Sequence, residues 1–285
     1  MIKNRPPWLR KKAPNQESLN AMEKMLKSLS LHTVCEGADC PNIGECFENQ
    51  TATFMILGKT CTRNCRFCAV SKESPEKLDE KEPQNVAIAV EKLGLKHVVI
   101  TSVTRDDLLD GGAGHFAKTI NEIKNLNKGI TIEVLIPDFA GNLQALKEII
   151  KAKPEIINHN LETVPSLYQQ VRPQADYQRS LSILKAVKDI DGSIVIKTGI
   201  MLGLGEKEEE IIRVMEDLIK INCDILTLGQ YLQPTKEHIE VVEYIPPEKF
   251  DDYKERALNM GFKYVASGPF VRSSYNAVEA LNVMK

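Results

Sequence analysis

The sequence has no apolar run long enough to cross a bilayer, and no apolar segment of the secretory type follows Met1. Aromatic residues make up only 6% of the chain, and the formal net charge is only −2. There is therefore no basic, aromatic-rich surface of the kind that nucleic acids require, and no excess charge to attract an anionic membrane. We expect a cytoplasmic protein with no membrane partner and no nucleic-acid partner.

Clustered cysteine is the most unusual feature that the sequence does contain. Six of the seven cysteines fall between Cys35 and Cys68. Because the cytosol keeps thiols reduced, disulfides are not expected there. Clustered thiols in a reducing compartment indicate metal or redox chemistry.

Short apolar segments rich in β-branched residues alternate with helical periodicity along most of the 285 residues. Strands are predicted at 53–58, 97–102, 130–136, 155–160, 193–202 and 224–231. This alternation predicts an α/β fold with parallel strands, and an active site at their carboxyl ends. Periodicity does not decide between a barrel and an open sheet. A late strand, 263–268, is expected outside the main sheet.

Three regions are predicted from these patterns. Residues 51–261 hold the βα units, and residues 1–50 form an N-terminal extension that carries the first three cysteines. Residues 262–285 form a C-terminal extension.

The segment CTRNCRFC directly follows the first predicted strand and spaces Cys61, Cys65 and Cys68 as CxxxCxxC. Three thiolates so close together in a loop can converge on one iron–sulfur cluster and leave its fourth iron open for a cofactor. Zinc is the alternative, but zinc sites usually use CxxC pairs and four protein ligands.

The segment CEGADCPNIGEC holds a second triad, Cys35, Cys40 and Cys46, with the spacing CxxxxCxxxxxC. Its glycines and proline predict a loop that can wrap a ligand. Three buried structural thiols are the alternative, although a polar loop rich in glycine and proline makes a poor core. Two triads indicate two clusters.

CxxxCxxC after the first strand of a βα protein, with Phe67 before the last cysteine, resembles the radical S-adenosylmethionine (SAM) superfamily. The upstream triad narrows the resemblance to the lipoyl synthase family. Similar segments extend along nearly the whole chain: RPPWLR, TATFMILG, TSVTRDDLLDGGAGHF, NHNLETV, GIMLGLGE, LGQYLQPT and GPFVRSSYNA.

This resemblance implies a partial (β/α)6 TIM-like barrel with N- and C-terminal extensions. It also implies two 4Fe–4S clusters and SAM as cofactors. The radical SAM cluster would be bound by the catalytic residues Cys61, Cys65 and Cys68. The auxiliary cluster would be bound by Cys35, Cys40, Cys46 and a serine of the RSSY motif. We favour Ser274 over Ser273 as that ligand.

The resemblance also implies the reaction and the partners. Two sulfur atoms would be inserted at the sixth and eighth carbons of an octanoyl chain bound to a carrier-protein lysine, with the auxiliary cluster as the sulfur source. The carriers would be the glycine cleavage H protein and the E2 domains of 2-oxoacid dehydrogenases. The electron donor would be a flavodoxin or a ferredoxin.

Four residues are candidates for SAM contacts. Asn160 and Glu162 end a predicted strand, where capping of the strand end is the alternative. Arg172 suits bidentate recognition of the SAM carboxylate, or else forms a surface salt bridge. Lys197 lies on a buried strand and therefore needs a polar or anionic partner.

Several other polar and small residues have two interpretations. Asp106 and Asp107 could bind the ribose or cap the next helix. Gly203 and Gly205 could let the backbone approach a ligand, or could simply form a tight turn. Cys223, outside both triads, is interpreted as a core residue.

Two further functions compete with this one. The first is another radical SAM sulfur-insertion enzyme, related to biotin synthase or to the methylthiotransferases, which would place its auxiliary cysteines differently. The second is a zinc module that binds nucleic acid, against which the near-neutral charge argues.

Overall fold

The structure is a computed structural model that describes residues 6–10, 16–37, 40–48 and 53–274. Three of the similar segments lie partly outside these residues. They are RPPWLR at Arg5, TATFMILG at its first two residues, and GPFVRSSYNA from Tyr275 onward.

The described residues form an eight-stranded sheet whose strands follow one another in chain order. The strands are β1 (His32–Thr33), β2 (Thr53–Ile56), β3 (His97–Ser102), β4 (Thr131–Leu135), β5 (Ile156–Asn158), β6 (Val195–Leu202), β7 (Ile225–Gln230) and β8 (Tyr264–Gly268). Strand β1 is antiparallel to β2. The β2–β3, β3–β4, β6–β7 and β7–β8 pairs are parallel.

The helices are α1 (Gln16–Ser28), α2 (Val34–Gly37), α3 (Ile43–Glu48), α4 (Glu82–Lys92), α5 (Ala113–Leu126), α6 (Leu143–Lys151), α7 (Tyr168–Val171), α8 (Tyr177–Ile190), α9 (Glu208–Lys220) and α10 (Pro247–Met260). Local sequence explains several of their ends. Asn142 caps α6 and Asp176 caps α8 through side-chain oxygens that accept backbone N–H groups. Gly261, with φ of +112°, ends α10 in the left-handed conformation.

The chain divides into two compact units. The first unit comprises Lys11–Arg63 and Ala69–Ile156, and the second comprises Met1–Arg10, Asn64–Cys68 and Ile157–Lys285. The cysteine-rich loop after β2 therefore contributes to both units.

The core of the first unit lies between its parallel strands and the helices that connect them. All four residues of β2 are buried, as expected for a strand covered on both faces. Val86 and Val90 of α4 and Phe116 and Ile120 of α5 are completely buried. This packing gives the loops at the carboxyl ends of β2 and β3 a rigid base.

The amino ends of the strands in the second unit are joined by one buried acid. The Asp224 carboxylate lies 2.7 Å from the Lys188 ammonium and 2.7 Å from the Lys263 ammonium, and it accepts the N–H of Ile196 at 2.9 Å. This network lies at the end of the strands opposite to the predicted active site.

The six strands predicted within the βα core are confirmed, all of them to within two residues of their predicted ends. The expectation that 263–268 lies outside the main sheet is wrong, because β8 pairs in parallel with β7 from Ile225↔Tyr264 to Gly229↔Gly268. The three-region division of the chain stays a prediction. Within the described residues, no helix has the length and apolar character that a membrane crossing requires.

Candidate active site

The loop that follows β2 presents Cys61 in a defined orientation. The Cys61 N–H donates to the carbonyl oxygen of Ser71 at 2.8 Å. The Cys61 sulfur in turn accepts the N–H of Thr104 at 3.3 Å and the N–H of Arg63 at 3.5 Å. These backbone donors fix the position of the sulfur, and cysteine sulfur is the usual ligand of iron–sulfur clusters.

The start of this loop is held by side chains from the next two βα units. Leu57 has a φ of +70°, and the Glu82 carboxylate accepts its N–H at 2.8 Å. Arg105 donates to the Leu57 carbonyl at 3.1 Å. Glu82 also lies 2.7 Å from His115 Nε2. The unfavourable backbone conformation of Leu57 is thus held by contacts on both sides of the residue.

The two aspartates that follow β3 form ion pairs with arginines. Asp106 pairs with Arg63, with 2.7 Å between Arg63 Nε and Asp106 Oδ2. Asp107 pairs with Arg105 at 2.8 Å, and this partner lowers the pKa of the Asp107 carboxyl. Neither aspartate caps α5. Instead, Asp110 accepts N–H groups at the start of that helix.

The second half of the CxxxCxxC loop is fixed within the second unit. Arg66 donates its N–H to the carbonyl of Val171 at 2.9 Å, and the Arg66 carbonyl accepts the N–H of Ile239 at 3.1 Å. The Phe67 ring packs against a buried cluster that includes Val171 and Tyr231. The aromatic position before the last cysteine therefore anchors the loop in the core.

His238 contacts the backbone of a predicted cluster ligand. Its Nε2 lies 3.1 Å from the Cys68 carbonyl oxygen, and its Nδ1 lies 2.8 Å from Thr235 Oγ1. The carbonyl can only accept, so Nε2 donates to it, while Nδ1 and the Thr235 hydroxyl share the second hydrogen bond. The Thr235 oxygen also accepts the N–H of Glu237 at 3.2 Å, which fixes that hydroxyl.

The second cysteine triad lies on a short helical segment of the first unit. Cys35 belongs to α2, and its carbonyl accepts the N–H of Cys40 at 3.1 Å. The Cys40 carbonyl accepts the N–H of Ile43, and Cys46 of α3 donates to the Asn42 carbonyl at 2.9 Å. Backbone hydrogen bonds of the turn type thus connect the three cysteine positions.

The three thiols of this segment interact electrostatically. Burial is the main reason that the pKa of the Cys35 thiol is raised to about 12; a hydrogen bond with the Thr53 backbone opposes this shift, and the neighbouring Cys40 and Cys46 add to it. Iron binding must therefore displace the proton from a buried thiol. No three His, Cys, Asp or Glu side chains of the described residues converge as ligands of a single metal ion. A four-iron cluster needs no such convergence, because each thiolate binds a different iron.

The predicted SAM contacts Asn160 and Glu162 lie next to each other just after β5. Asn160 Nδ2 donates to Glu162 Oε1 at 3.1 Å and to Ser273 Oγ at 2.6 Å. Burial raises the pKa of the Glu162 carboxyl, although Arg172, Asn160 and Arg272 oppose that shift. The buried Oδ1 of Asn160 has no hydrogen-bond partner among the described residues, so it retains an acceptor for a ligand.

Arg172 is buried, with 8% of its surface exposed, so a surface salt bridge is ruled out. Its Nη1 donates to the carbonyl oxygens of Asn160 and Leu161 at 2.9 and 3.0 Å, and its guanidinium lies 5.5 Å from the centre of the Tyr168 ring. Arg172 therefore supports the backbone that carries Asn160.

The remaining candidates from the sequence are a lysine, a pair of glycines and a cysteine. Lys197 lies on β6 with 2% exposure, as its buried strand predicts. Gly203 and Gly205 have φ of +100° and +109°, and Glu206 accepts the N–H of Gly203, so they form a tight turn closed by a carboxylate. Cys223 is buried, and its sulfur lies 3.5 Å from the carbonyl oxygen of Ile225, which confirms a core role.

The donor chemistry of both cysteine segments fits iron–sulfur clusters. Each segment offers three thiols, and two backbone N–H groups already point at the Cys61 sulfur. Comparison with known proteins supports the same chemistry. The profile of the Radical SAM superfamily matches residues 55–218.

Curated relatives match over the whole chain. A lipoyl synthase of Caldanaerobacter subterraneus subsp. tengcongensis is 59% identical over 100% of both chains. A lipoyl synthase of Alkaliphilus metalliredigens is 58% identical over 98% of this chain and 97% of its own. The chain belongs to the lipoyl synthase family. It is therefore a radical SAM sulfurtransferase that uses SAM and 4Fe–4S clusters, and the two competing functions are set aside.

Solved structures agree on the fold. Methylornithine synthase has a TM-score of 0.56 at 13% identity, over 78% of this chain and 72% of its own. SuiB of Streptococcus suis bound to S-adenosylmethionine has a TM-score of 0.60 at 13% identity, and the match covers 88% of this chain and 61% of SuiB. The predicted radical SAM type of partial barrel is confirmed by these matches and by the mostly parallel sheet.

Sequence reasoning missed two features of this site. His238 lies three residues beyond the segment LGQYLQPT, and nothing in its local pattern indicated a contact with Cys68. The partners of Arg63 are 43 and 75 positions away in the sequence, and only the parallel register of β2, β3 and β4 brings their loops together.

Proposed function

We propose that Cys61, Cys65 and Cys68 bind the radical SAM cluster, and that Cys35, Cys40, Cys46 and Ser274 bind the auxiliary cluster. The auxiliary cluster is the source of the sulfur inserted at the sixth and eighth carbons of a protein-bound octanoyl chain. When bound, these groups supply the radical that removes hydrogen from unactivated carbon and the sulfide that replaces it.

One observation carries this proposal. The two triads occupy separate segments with different surroundings, one at the carboxyl end of β2 and one on the α2–α3 segment beside the edge strand β1. Two independent sets of thiols support two clusters with different tasks.

The chain's own residues hold and orient the reactants. Asn160 and Glu162 are proposed to contact SAM, with the unpaired Oδ1 of Asn160 as an acceptor. Arg172 is proposed to contact SAM as well, and it also holds the Asn160 carbonyl. Lys197, buried on β6, is proposed to contact the same ligand.

Ser274 is the preferred fourth ligand of the auxiliary cluster because its neighbour is already engaged. The Ser273 hydroxyl accepts a hydrogen bond from Asn160 at 2.6 Å. A serine oxygen is a weaker iron ligand than a thiolate, which suits a cluster that is dismantled during turnover.

The proposed partners are octanoylated carrier domains, namely the glycine cleavage H protein and the E2 domains of 2-oxoacid dehydrogenases. The proposed electron donor is a flavodoxin or a ferredoxin. A cytoplasmic location remains part of the proposal.

Anaerobic turnover with an octanoylated H protein tests the assignment. The reconstituted chain should hold about eight irons and about eight sulfides, as two four-iron clusters require. It should form deoxyadenosine and a lipoyl product together. Zinc without sulfide, or deoxyadenosine with no thiolated product from any octanoylated carrier, would overturn the proposal.

A further inference from the structure

A buried ion network holds the CxxxCxxC loop within the first unit. Arg63, two residues after Cys61, is only 6% exposed. Its guanidinium forms a bidentate pair with Asp106, at 2.7 and 2.8 Å. It also contacts Asp138 Oδ1 at 2.6 Å. Asp138 is completely buried, and it accepts the N–H of Ala140 at 3.0 Å.

The three partners come from three different loops. Arg63 follows β2, Asp106 follows β3 and Asp138 follows β4. Burying charged groups is costly, and a buried ion pair is weak evidence for stability. A planar guanidinium bonded to two carboxylates does, however, fix geometry, because the bidentate pairing with Asp106 permits one orientation.

A chain of hydrogen bonds connects Asp106 with the sulfur of Cys61. The Asp106 N–H donates to Thr62 Oγ1 at 3.0 Å, and the Thr62 hydroxyl donates to the Thr104 carbonyl at 3.0 Å. The Thr104 N–H then donates to the Cys61 sulfur at 3.3 Å. The loop that pairs with Arg63 thus also supplies a hydrogen bond to Cys61.

We infer that Arg63, anchored by Asp106 and Asp138, is a positioning residue that sets the orientation of Cys61 and its N–H···S hydrogen bonds. This inference depends on the proposed role of Cys61 as a cluster ligand. Residues that orient a metal ligand typically change metal affinity or activity about 10- to 100-fold when they are replaced.

Asp138→Asn tests the inference because it keeps the shape of the side chain and removes its charge. The variant should form deoxyadenosine about 10- to 100-fold more slowly than the unchanged chain. The EPR signal of its reduced radical SAM cluster should also change shape, or the midpoint potential of that cluster should shift. A structural role alone would not move that signal in correctly folded protein.

Asp224→Asn is the matched control, because Asp224 is also a buried acid in an ion pair, in its case with two lysines. It should lower the melting temperature and leave the EPR signal and the deoxyadenosine rate per folded chain unchanged. If Asp138→Asn does not fold, Arg63→Lys decides the question, because lysine keeps the charge but cannot form the bidentate pair.

Cys61→Ala separates this inference from the proposed function. It should abolish deoxyadenosine formation, and if it does not, the proposed cluster assignment fails. Unchanged EPR and deoxyadenosine rates in Asp138→Asn or in folded Arg63→Lys, beside an inactive Cys61→Ala, would overturn the positioning role alone.

Discussion

The two cysteine segments are held in different ways. Around the CxxxCxxC loop, side chains distant in sequence fix the backbone: Arg63 pairs with Asp106 and Asp138, and His238 contacts the Cys68 carbonyl. Along the Cys35–Cys46 segment, backbone hydrogen bonds form short turns from one cysteine to the next, and Cys35 also forms a hydrogen bond with the Thr53 backbone. Charged side chains from other loops are prominent around the first set of ligands, and short backbone turns are prominent around the second.

This difference agrees with the proposed tasks. A cluster that must survive repeated turnover benefits from ligands whose geometry is fixed in advance. A cluster that gives up its sulfide benefits from a segment that can release and rebind iron. The contrast therefore predicts that changes to the two segments have separable effects.

Replacing each triad as a whole should give the largest effects. Cys61→Ala, Cys65→Ala and Cys68→Ala together should abolish deoxyadenosine formation while about four irons per chain remain. Cys35→Ala, Cys40→Ala and Cys46→Ala together should also leave about four irons per chain, and should keep deoxyadenosine formation but yield no lipoyl product. Iron analysis and product chromatography measure both outcomes. Loss of both partial reactions from either folded variant would contradict separate tasks.

The next largest effect is expected at the two serines of the RSSY motif, whose replacement should affect auxiliary iron differently. Ser274→Ala should lower sulfur insertion about 10- to 100-fold and reduce auxiliary iron, because a metal ligand is lost. Ser273→Ala is its matched control and should retain auxiliary iron, since its hydroxyl bonds Asn160. Counting iron in the background without Cys61, Cys65 and Cys68 measures the auxiliary site alone. Equal iron loss in both variants would contradict the choice of Ser274.

His238→Ala should have a smaller effect on the CxxxCxxC loop. One hydrogen bond to the Cys68 carbonyl is lost, worth about 0.5–1.5 kcal/mol, so deoxyadenosine formation should fall about 2- to 10-fold. His238→Gln retains a side-chain N–H donor and should recover part of the rate. Identical rates for the alanine variant and the unchanged chain would show that this contact does not position the loop.

Asp224 lies outside both cysteine segments, and its replacement should have the smallest effect on deoxyadenosine formation. Burial alone would raise the pKa of its carboxyl, but hydrogen bonds from Lys188, Lys263 and the Ile196 backbone hold it below its usual value. The ionised form therefore stabilises the fold above the pKa of the unfolded state, and this stability is lost as the pH falls through the native pKa.

Asp224→Asn should accordingly lower the free energy of unfolding by about 1–3 kcal/mol near neutral pH, and by less in acid. Denaturant unfolding at several pH values measures this difference. A constant difference between the variant and the unchanged chain down to strongly acidic pH would contradict the ionic role of Asp224.

Much of the fold was predictable because its parallel strands are short apolar runs with helical patterns between them. Strand β1 was not predicted, because a strand of two residues is too short to show an alternating or continuous apolar pattern. Strand β8 was wrongly expected outside the sheet. Only Val265 of this strand is buried, and Ala266, Ser267 and Gly268 are partly exposed, so no buried-strand pattern indicated its pairing with β7.

The candidate site was predictable where its residues are close in sequence. Both cysteine triads have diagnostic spacings within twelve residues or fewer. Asp106 was singled out as a candidate, but its ion pair with Arg63 was not predicted. No role was predicted for Asp138. These contacts depend on strand register, which local patterns do not encode.

Sulfur labelling tests the central claim most directly. The chain is reconstituted with isotopically labelled sulfide, freed of excess sulfide, and given octanoylated H protein, SAM and reductant without oxygen. The account predicts a lipoyl product labelled at both sulfur positions and no labelled product from the chain that lacks Cys35, Cys40 and Cys46. An unlabelled lipoyl product, or a labelled one from that triple variant, would contradict it.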